Sequence, residues 1–304
     1  MTDTDFSERR YSYSPIVDRP KLTLPDNARA GVWVVPNIEH YEYLPREKRV
    51  RDPWPRTPHP DILGYGGRDY GNRVGLWRMF EVLDRHDLRC TVSLSMAVIE
   101  MYPVILEAME KRRWEYMSHG LFNTRYHWGY GEDEERAVIL QCAEIHQRLT
   151  GRKLEGWFSP AVSFTRATAD LVAEAGLSYI CDFYHDDHPT PLATKHGPLV
   201  SVPYSMDLND AMVYRQPVEA DEFAQMIIDH FDTIYREGET QPRFMCIALH
   251  PYMMGAPHRI RHLDRALAHI KGHKDVWFAT GSEIAALYRA KAMSAFQQQL
   301  GAEA

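Results

Sequence analysis

Eight short apolar runs recur along the chain, most of them separated by stretches whose apolar residues follow helical spacing. The runs are GVWVVPN (31–37), RCTVSLSM (89–96), WEYMS (114–118), LEGWFS (154–159), LSYICDF (177–183), PLVSVPY (198–204), RFMCIALH (243–250) and DVWFAT (275–280). Between them, RVGLWRMFEVLDRHD (73–87) carries an apolar face at helical period. EDEERAVILQCAEIHQRLTG (132–151) opens on acids, closes near Arg148 and stops at Gly151, as the helix dipole and a glycine stop require. TRATADLVAEAG (165–176) and EADEFAQMIIDHFDTIYREG (219–238) follow the same grammar. Strands alternating with helices predict parallel strands joined by crossover helices. Seven to eight such strands with about seven helices predict an α/β fold, a closed or nearly closed (β/α) barrel.

Composition narrows the function. The 304 residues are 44% hydrophobic and 25% charged, enough for a large core in a soluble globular protein. Residues 1–30 read as an N-terminal arm, and 31–295 as a single barrel domain. Within it, 44–73 is rich in Pro, Arg and Gly and reads as a long loop over the barrel mouth. A net charge of −7 argues against a nucleic-acid partner or an anionic membrane surface. No apolar run reaches membrane-spanning length, and the polar start MTDTDFSERR lacks the apolar core of a signal peptide, so a cytoplasmic location is expected. The four cysteines form no Cys-x-x-Cys pair and read as buried thiols.

In barrels of this kind the active site lies at the carboxyl ends of the strands. The residues that follow the predicted strands are Glu39 and His40, His119, Ser159, Asp182 with Asp186 and Asp187, Asp207, and His250. Successive residues at a strand end point different ways, so one of Glu39 and His40 can face a substrate while the other faces a metal or a supporting group. A carboxylate there is suited to act as general base for water. His250 leaves a buried strand and is the acid–base candidate of its loop; His258 lines or caps that loop. Asp186 and Asp187, in CDFYHDDHP, read as loop-ordering or substrate-binding groups.

Taken together, these stretches resemble the polysaccharide deacetylase (NodB-like) superfamily over about residues 25–290, and most of all its cytoplasmic allantoinase-like and cyclic-imide-hydrolase-like branch. The resemblance implies a distorted, TIM-barrel-related (β/α) barrel. Asn37-Ile38-Glu39-His40-Tyr41 stands where the family has Thr-Phe-Asp-Asp-Gly, so Glu39 inherits the role of base and His40 that of metal ligand. His119-Gly120-Leu121-Phe122-Asn123 matches the family's His-x-x-x-His metal motif, with Asn123 in place of the second histidine. Ser159-Pro160-Ala161-Val162 replaces Arg-Pro-Pro, and the arginine that tunes the base is gone; Arg73, in DYGNRVG, is the expected substitute. Leu249-His250 matches the motif whose histidine is the general acid.

The resemblance thus implies catalytic roles for Glu39, His119 and His250, and substrate contacts from Arg73, Asn123, Ser159, Asp186 and Asp187. For the cofactor it leaves two options: a divalent ion, zinc or manganese, on His40, His119 and Asn123, or a metal-free site. Asparagine is a weak zinc ligand. The expected reaction is hydrolysis of a carbon–nitrogen amide bond in a small, cyclic molecule such as an imide, hydantoin or ureide. A deacetylase of a soluble N-acetylated sugar is the alternative within that chemistry, and a non-catalytic ligand-binding barrel the alternative from another class. The aromatic and methionine residues of 251–257 read either as subunit contacts of a homo-oligomer, which the resemblance also implies, or as the rim of the active site.

Overall fold

The computed structural model describes residues 10–46, 60–213 and 218–294. Nine strands form one curled sheet: β1 (Ala30–Ile38), β2 (Thr91–Leu94), β3 (Glu115–Ser118), β4 (Gly156–Trp157), β5 (Tyr179–Ile180), β6 (Thr190–Leu192), β7 (Leu199–Ser201), β8 (Arg243–Leu249) and β9 (Val276–Phe278). The helices are α1 (Ile62–Tyr70), α2 (Leu76–Arg85), α3 (Met96–Met101), α4 (Pro103–Lys111) and α5 (Glu132–Thr150). They continue with α6 (Thr168–Glu174), α7 (Asp210–Val213), α8 (Ala220–Glu237), α9 (Ile260–Lys271) and α10 (Gly281–Lys291). The strand order is β6-β7-β5-β4-β3-β2-β1-β8, with β9 alongside the amino-terminal half of β1. Every pairing is parallel except β6 with β7. The result is the distorted, partly open barrel expected of a NodB-like chain.

All eight predicted strands are present. The added strand, β6, is three residues long, contains Pro191 and lies at the sheet edge, where a missing N–H is tolerated. The expected loop at 44–73 is corrected over its second half: Ile62–Tyr70 is helical, capped by the Asp61 carboxylate accepting from Gly64 N–H, and a wide π-type turn at Gly71–Gly75 leads into α2. Residues 47–59 of that stretch lie outside the described residues.

β1 is buried along its whole length and pairs with β8 over seven residues. Its Gly31 lies under Phe244; a Cβ there would meet the ring at 2.5 Å. One apolar layer, including Leu76, Phe80, Ile139 and Phe231, packs the helices onto the sheet, and a second, around Trp33, Phe158 and Tyr204, fills the barrel interior. All four cysteines are buried and free.

Between β7 and β8 the strands do not pair. Chain segments close the seam instead. Ala248 N–H donates to Leu208 C=O, and Phe244 N–H to Asp187 C=O. Residues of the expected N-terminal arm cover it from outside: Leu22 and Leu24 are buried, Arg10 is bound to Asp170, and Arg19 forms an almost fully buried ion pair with Asp186. Breaking a buried pair from one side strands the other charge, at a cost of about 3 kcal/mol. We therefore expect Arg19→Met to lower unfolding free energy in urea by about that amount. Arg19→Met with Asp186→Asn should recover part of it, because the amide still accepts the His188 N–H that Asp186 now binds; a double variant no more stable than the single would exclude the charge as the cause.

Candidate active site

The parallel register aligns the strand ends. Ile38 pairs with Leu94, Leu94 with Ser118, and Ser118 with Trp157, so the next residues, Glu39, Ser95, His119 and Phe158, form a row across the barrel mouth. On the other side of β1, Pro36 pairs with Leu249, which brings His250 beside Glu39. These ends border a cavity of about 290 Å³.

Glu39 is the centre of it. Its Oε1 lies 3.5 Å from His119 Nε2 and 3.4 Å from His250 Nε2, and its Oε2 lies 3.4 Å from the Tyr252 hydroxyl. His119 Nδ1 donates to the Phe158 carbonyl, which fixes the tautomer: in the neutral ring the Nε2 lone pair faces the cavity. His250 Nδ1 bonds to Asp210 Oδ1 at 2.6 Å, while the His250 N–H donates to Asp210 Oδ2. Asp210, at the start of α7, is completely buried. Burial alone would raise the Glu39 carboxyl, but the charge and hydrogen bond of His250 outweigh it and hold it well below the usual carboxylate range. Burial alone would lower His250; the Glu39 and Asp210 charges push it up to about 9. At neutral pH the pair is a buried carboxylate facing an imidazolium.

A third wall comes from α1 and the loop after β8. Gly71, Gly75 and Gly255 let these segments touch: Cβ atoms at 71 and 75 would meet Tyr252 N at 2.8 Å and Pro251 O at 2.0 Å. The contact lets Asn72 donate to the Glu39 carbonyl. It also places the Arg68 guanidinium over the Tyr41 ring at 4.2 Å and the Tyr252 ring at 4.8 Å, lining the cavity.

Of the residues expected in the site, Glu39, His119, His250 and Asn123 line this cavity. His40 does not: its ring points into an aromatic cluster of Tyr65, Tyr102 and Phe122 on the other face of the strand end. Arg73 does not reach it either. It is exposed and paired with Asp69. Ser159 is buried behind the cavity, its N–H bound to Asp182 and its hydroxyl accepting from Trp157. Asp182, pushed up to about 7 by burial, serves there as a backbone acceptor. Asp186, Asp187 and Asp207 border a separate, larger cavity of about 570 Å³, which shares Tyr204 and Met206 with the first. In the 251–257 stretch, Met254 is fully buried, and Tyr252 and Met253 line the active cavity.

The expected metal set does not fit this arrangement. His40 lies outside the cavity, and Asn123 turns its Nδ2 to the Tyr41 hydroxyl. Ligand atoms about 2.1 Å from one ion lie at most about 4.2 Å apart. Among the described residues, the group of three His, Cys, Asp or Glu whose ligand atoms all lie within 4.8 Å of one another is Asp232, His269 and His273, which does not line the cavity. Asp210, Arg68 and Tyr41 complete the site without having been singled out from the sequence; Tyr252 comes from the 251–257 stretch, one reading of which is the rim of the active site. Arg68 stands five residues before the arginine expected there, and Asp210 three residues after Asp207.

Known proteins share this fold. The family model described as polysaccharide deacetylase matches residues 68–180. A Schizosaccharomyces pombe protein assigned to the polysaccharide deacetylases is 29% identical over 296 residues, covering 88% of this chain and 92% of its own. A peptidoglycan deacetylase of Helicobacter pylori is 24% identical over 264 residues, covering 73% and 89%. Among solved structures, PuuE allantoinase superposes with a TM-score of 0.85 at 28% identity, over 94% of this chain and 98% of its own. With the strand order and these matches in agreement, residues 68–180 carry a polysaccharide deacetylase domain, and the chain as a whole is similar to the polysaccharide deacetylase (NodB-like) superfamily of carbon–nitrogen amide hydrolases.

Proposed function

We propose that the protein hydrolyses an amide bond in a small cyclic molecule, an imide, hydantoin or ureide, and that it does so without a bound metal. The observation that carries this reading is the buried array Glu39–His250–Asp210 with His119 beside it, at the end of a cavity of about 290 Å³. That volume is at the lower limit for small-molecule sites and suits a single ring better than a polymer. The similarity to an allantoinase over nearly the whole chain supports a cyclic substrate. The deacetylase relatives keep a soluble N-acetylated sugar as the second reading.

A water between Glu39 Oε1 and the His119 Nε2 lone pair would donate to both acceptors and turn its own lone pair to the scissile carbonyl. Glu39 takes the proton as the C–O bond forms. Its low proton affinity in the free site is not fixed, because negative charge growing on the carbonyl oxygen beside it raises it. The His250 imidazolium faces that oxyanion, then passes its Nε2 proton to the leaving nitrogen as the C–N bond breaks. Asp210 holds the ring and its charge and is a positioning residue. Acid–base groups of this kind contribute roughly 10² to 10⁴ in rate.

Three outcomes are expected. Glu39→Gln, which keeps shape and removes the base, should lower kcat on a cyclic imide by at least about 10²-fold with an unchanged fold by circular dichroism; near-normal turnover would remove Glu39 from the chemistry. The kcat/KM profile should lose activity on its alkaline side near pH 9, as His250 deprotonates. Because Asp210 raises His250, Asp210→Asn should move that limb to lower pH, and a limb that stays put would assign it to another group. Dialysis against EDTA should leave turnover of the purified protein within about twofold of untreated protein, whereas loss restored by zinc would put an ion in the mechanism.

A further inference from the structure

Two polar atoms on residues that line the active cavity have no partner. The Nε of Arg68 is buried without a hydrogen-bond acceptor; among the described residues the rest of its guanidinium meets the Tyr41 hydroxyl and the rings of Tyr41 and Tyr252, and pairs with no carboxylate. The Oδ1 of Asn123 is also buried and unpaired, its own Nδ2 being committed to the Tyr41 hydroxyl. Both residues flank Tyr41 and both line the cavity. Buried donors and acceptors without partners are rare and costly, and at an active site a ligand is the natural partner. One is a donor and the other an acceptor, so what they complement is a donor–acceptor edge. The site already balances two buried carboxylates, Glu39 and Asp210, with two cations, His250 and Arg68, so a neutral acceptor suits this cavity better than another anion.

We propose that Arg68 and Asn123 read the –CO–NH– edge beyond the scissile carbonyl: the guanidinium donates to the second carbonyl oxygen, and the Asn123 amide oxygen accepts the adjacent N–H, which in an imide is that of the leaving nitrogen. This rests on the function proposed above and narrows its substrate to neutral rings that carry a second carbonyl next to an unsubstituted N–H. A lactam, with one carbonyl, leaves Arg68 unsatisfied. An N-methylated imide leaves Asn123 unsatisfied and adds a clash.

The test compares succinimide, N-methylsuccinimide and 2-pyrrolidinone as substrates of the purified wild-type protein and of Arg68→Met, Arg68→Lys, Asn123→Asp and Asn123→Leu. Wild type should favour succinimide over N-methylsuccinimide by about 10- to 100-fold in kcat/KM, the range for leaving one buried polar group unpaired, and over the less activated lactam by more. Arg68→Met should raise KM for succinimide and narrow the preference over the lactam by about 10- to 100-fold, with Arg68→Lys recovering part. Asn123→Leu should abolish the preference over the N-methyl imide, with Asn123→Asp retaining more of it. If Arg68 and Asn123 only hold Glu39 and Tyr41 in place, kcat will fall by one factor on all three substrates with the ratios intact, and the inference fails. Should wild type hydrolyse none of the three, the proposed function fails, and dissociation constants for the same compounds by calorimetry still decide the recognition: equal binding of succinimide and its N-methyl analogue overturns it.

Discussion

Glu39 can remain ionised in a buried site because a protonated His250 faces it, and His250 can remain protonated because Asp210 stands behind it. A buried charge without this support would neutralise or be expelled. The surrounding architecture serves that array. β1 carries Glu39 and β8 carries His250 on adjacent strands in register, and α7 brings Asp210 to both the backbone and the ring of His250. The site keeps an acid and a base of opposite charge a few ångströms apart, ready for a molecule that separates them.

The departures from the family's metal motif are consistent with one another. His40 replaces a carboxylate and turns into an aromatic cluster; Asn123 replaces a histidine and binds Tyr41; the family's arginine is lost after β4, and a different arginine enters from α1. Each change alone would weaken an ion site. Together they leave a cavity lined by hydrogen-bonding groups and tyrosine faces, with the cation of Arg68 held by the rings of Tyr41 and Tyr252.

Much of this was legible in the sequence, for particular reasons. The strands were visible because parallel strands buried on both faces read as continuous apolar runs. Glu39, His119 and His250 were visible because each is the first polar residue after such a run. What alternation could not say was which of Glu39 and His40 turns inward; that depends on how β1 twists against its neighbours. The helix at Ile62–Tyr70 was hidden by Gly64, Gly66 and Gly67, which lower helix propensity enough to look like loop. With the helix hidden, its phase was hidden too, so Arg68 could not be told from Arg73. Asp210 gave no signal because its segment has no periodicity. Its role arises where the unpaired edges of β7 and β8 are bridged.

That bridge ties the proposed catalysis to the part of the sheet where β7 and β8 do not pair. The segment ending in Asp210 is held to β8 by the Leu208–Ala248 contact and the short parallel bridge at Asn209, without a ladder of its own. Opening it would uncover Leu208, a buried member of the apolar layer around Leu76 and Phe231, and would take the counter-charge away from His250. The join between the two ends of the sheet and the acid of the proposed mechanism therefore depend on the same short segment.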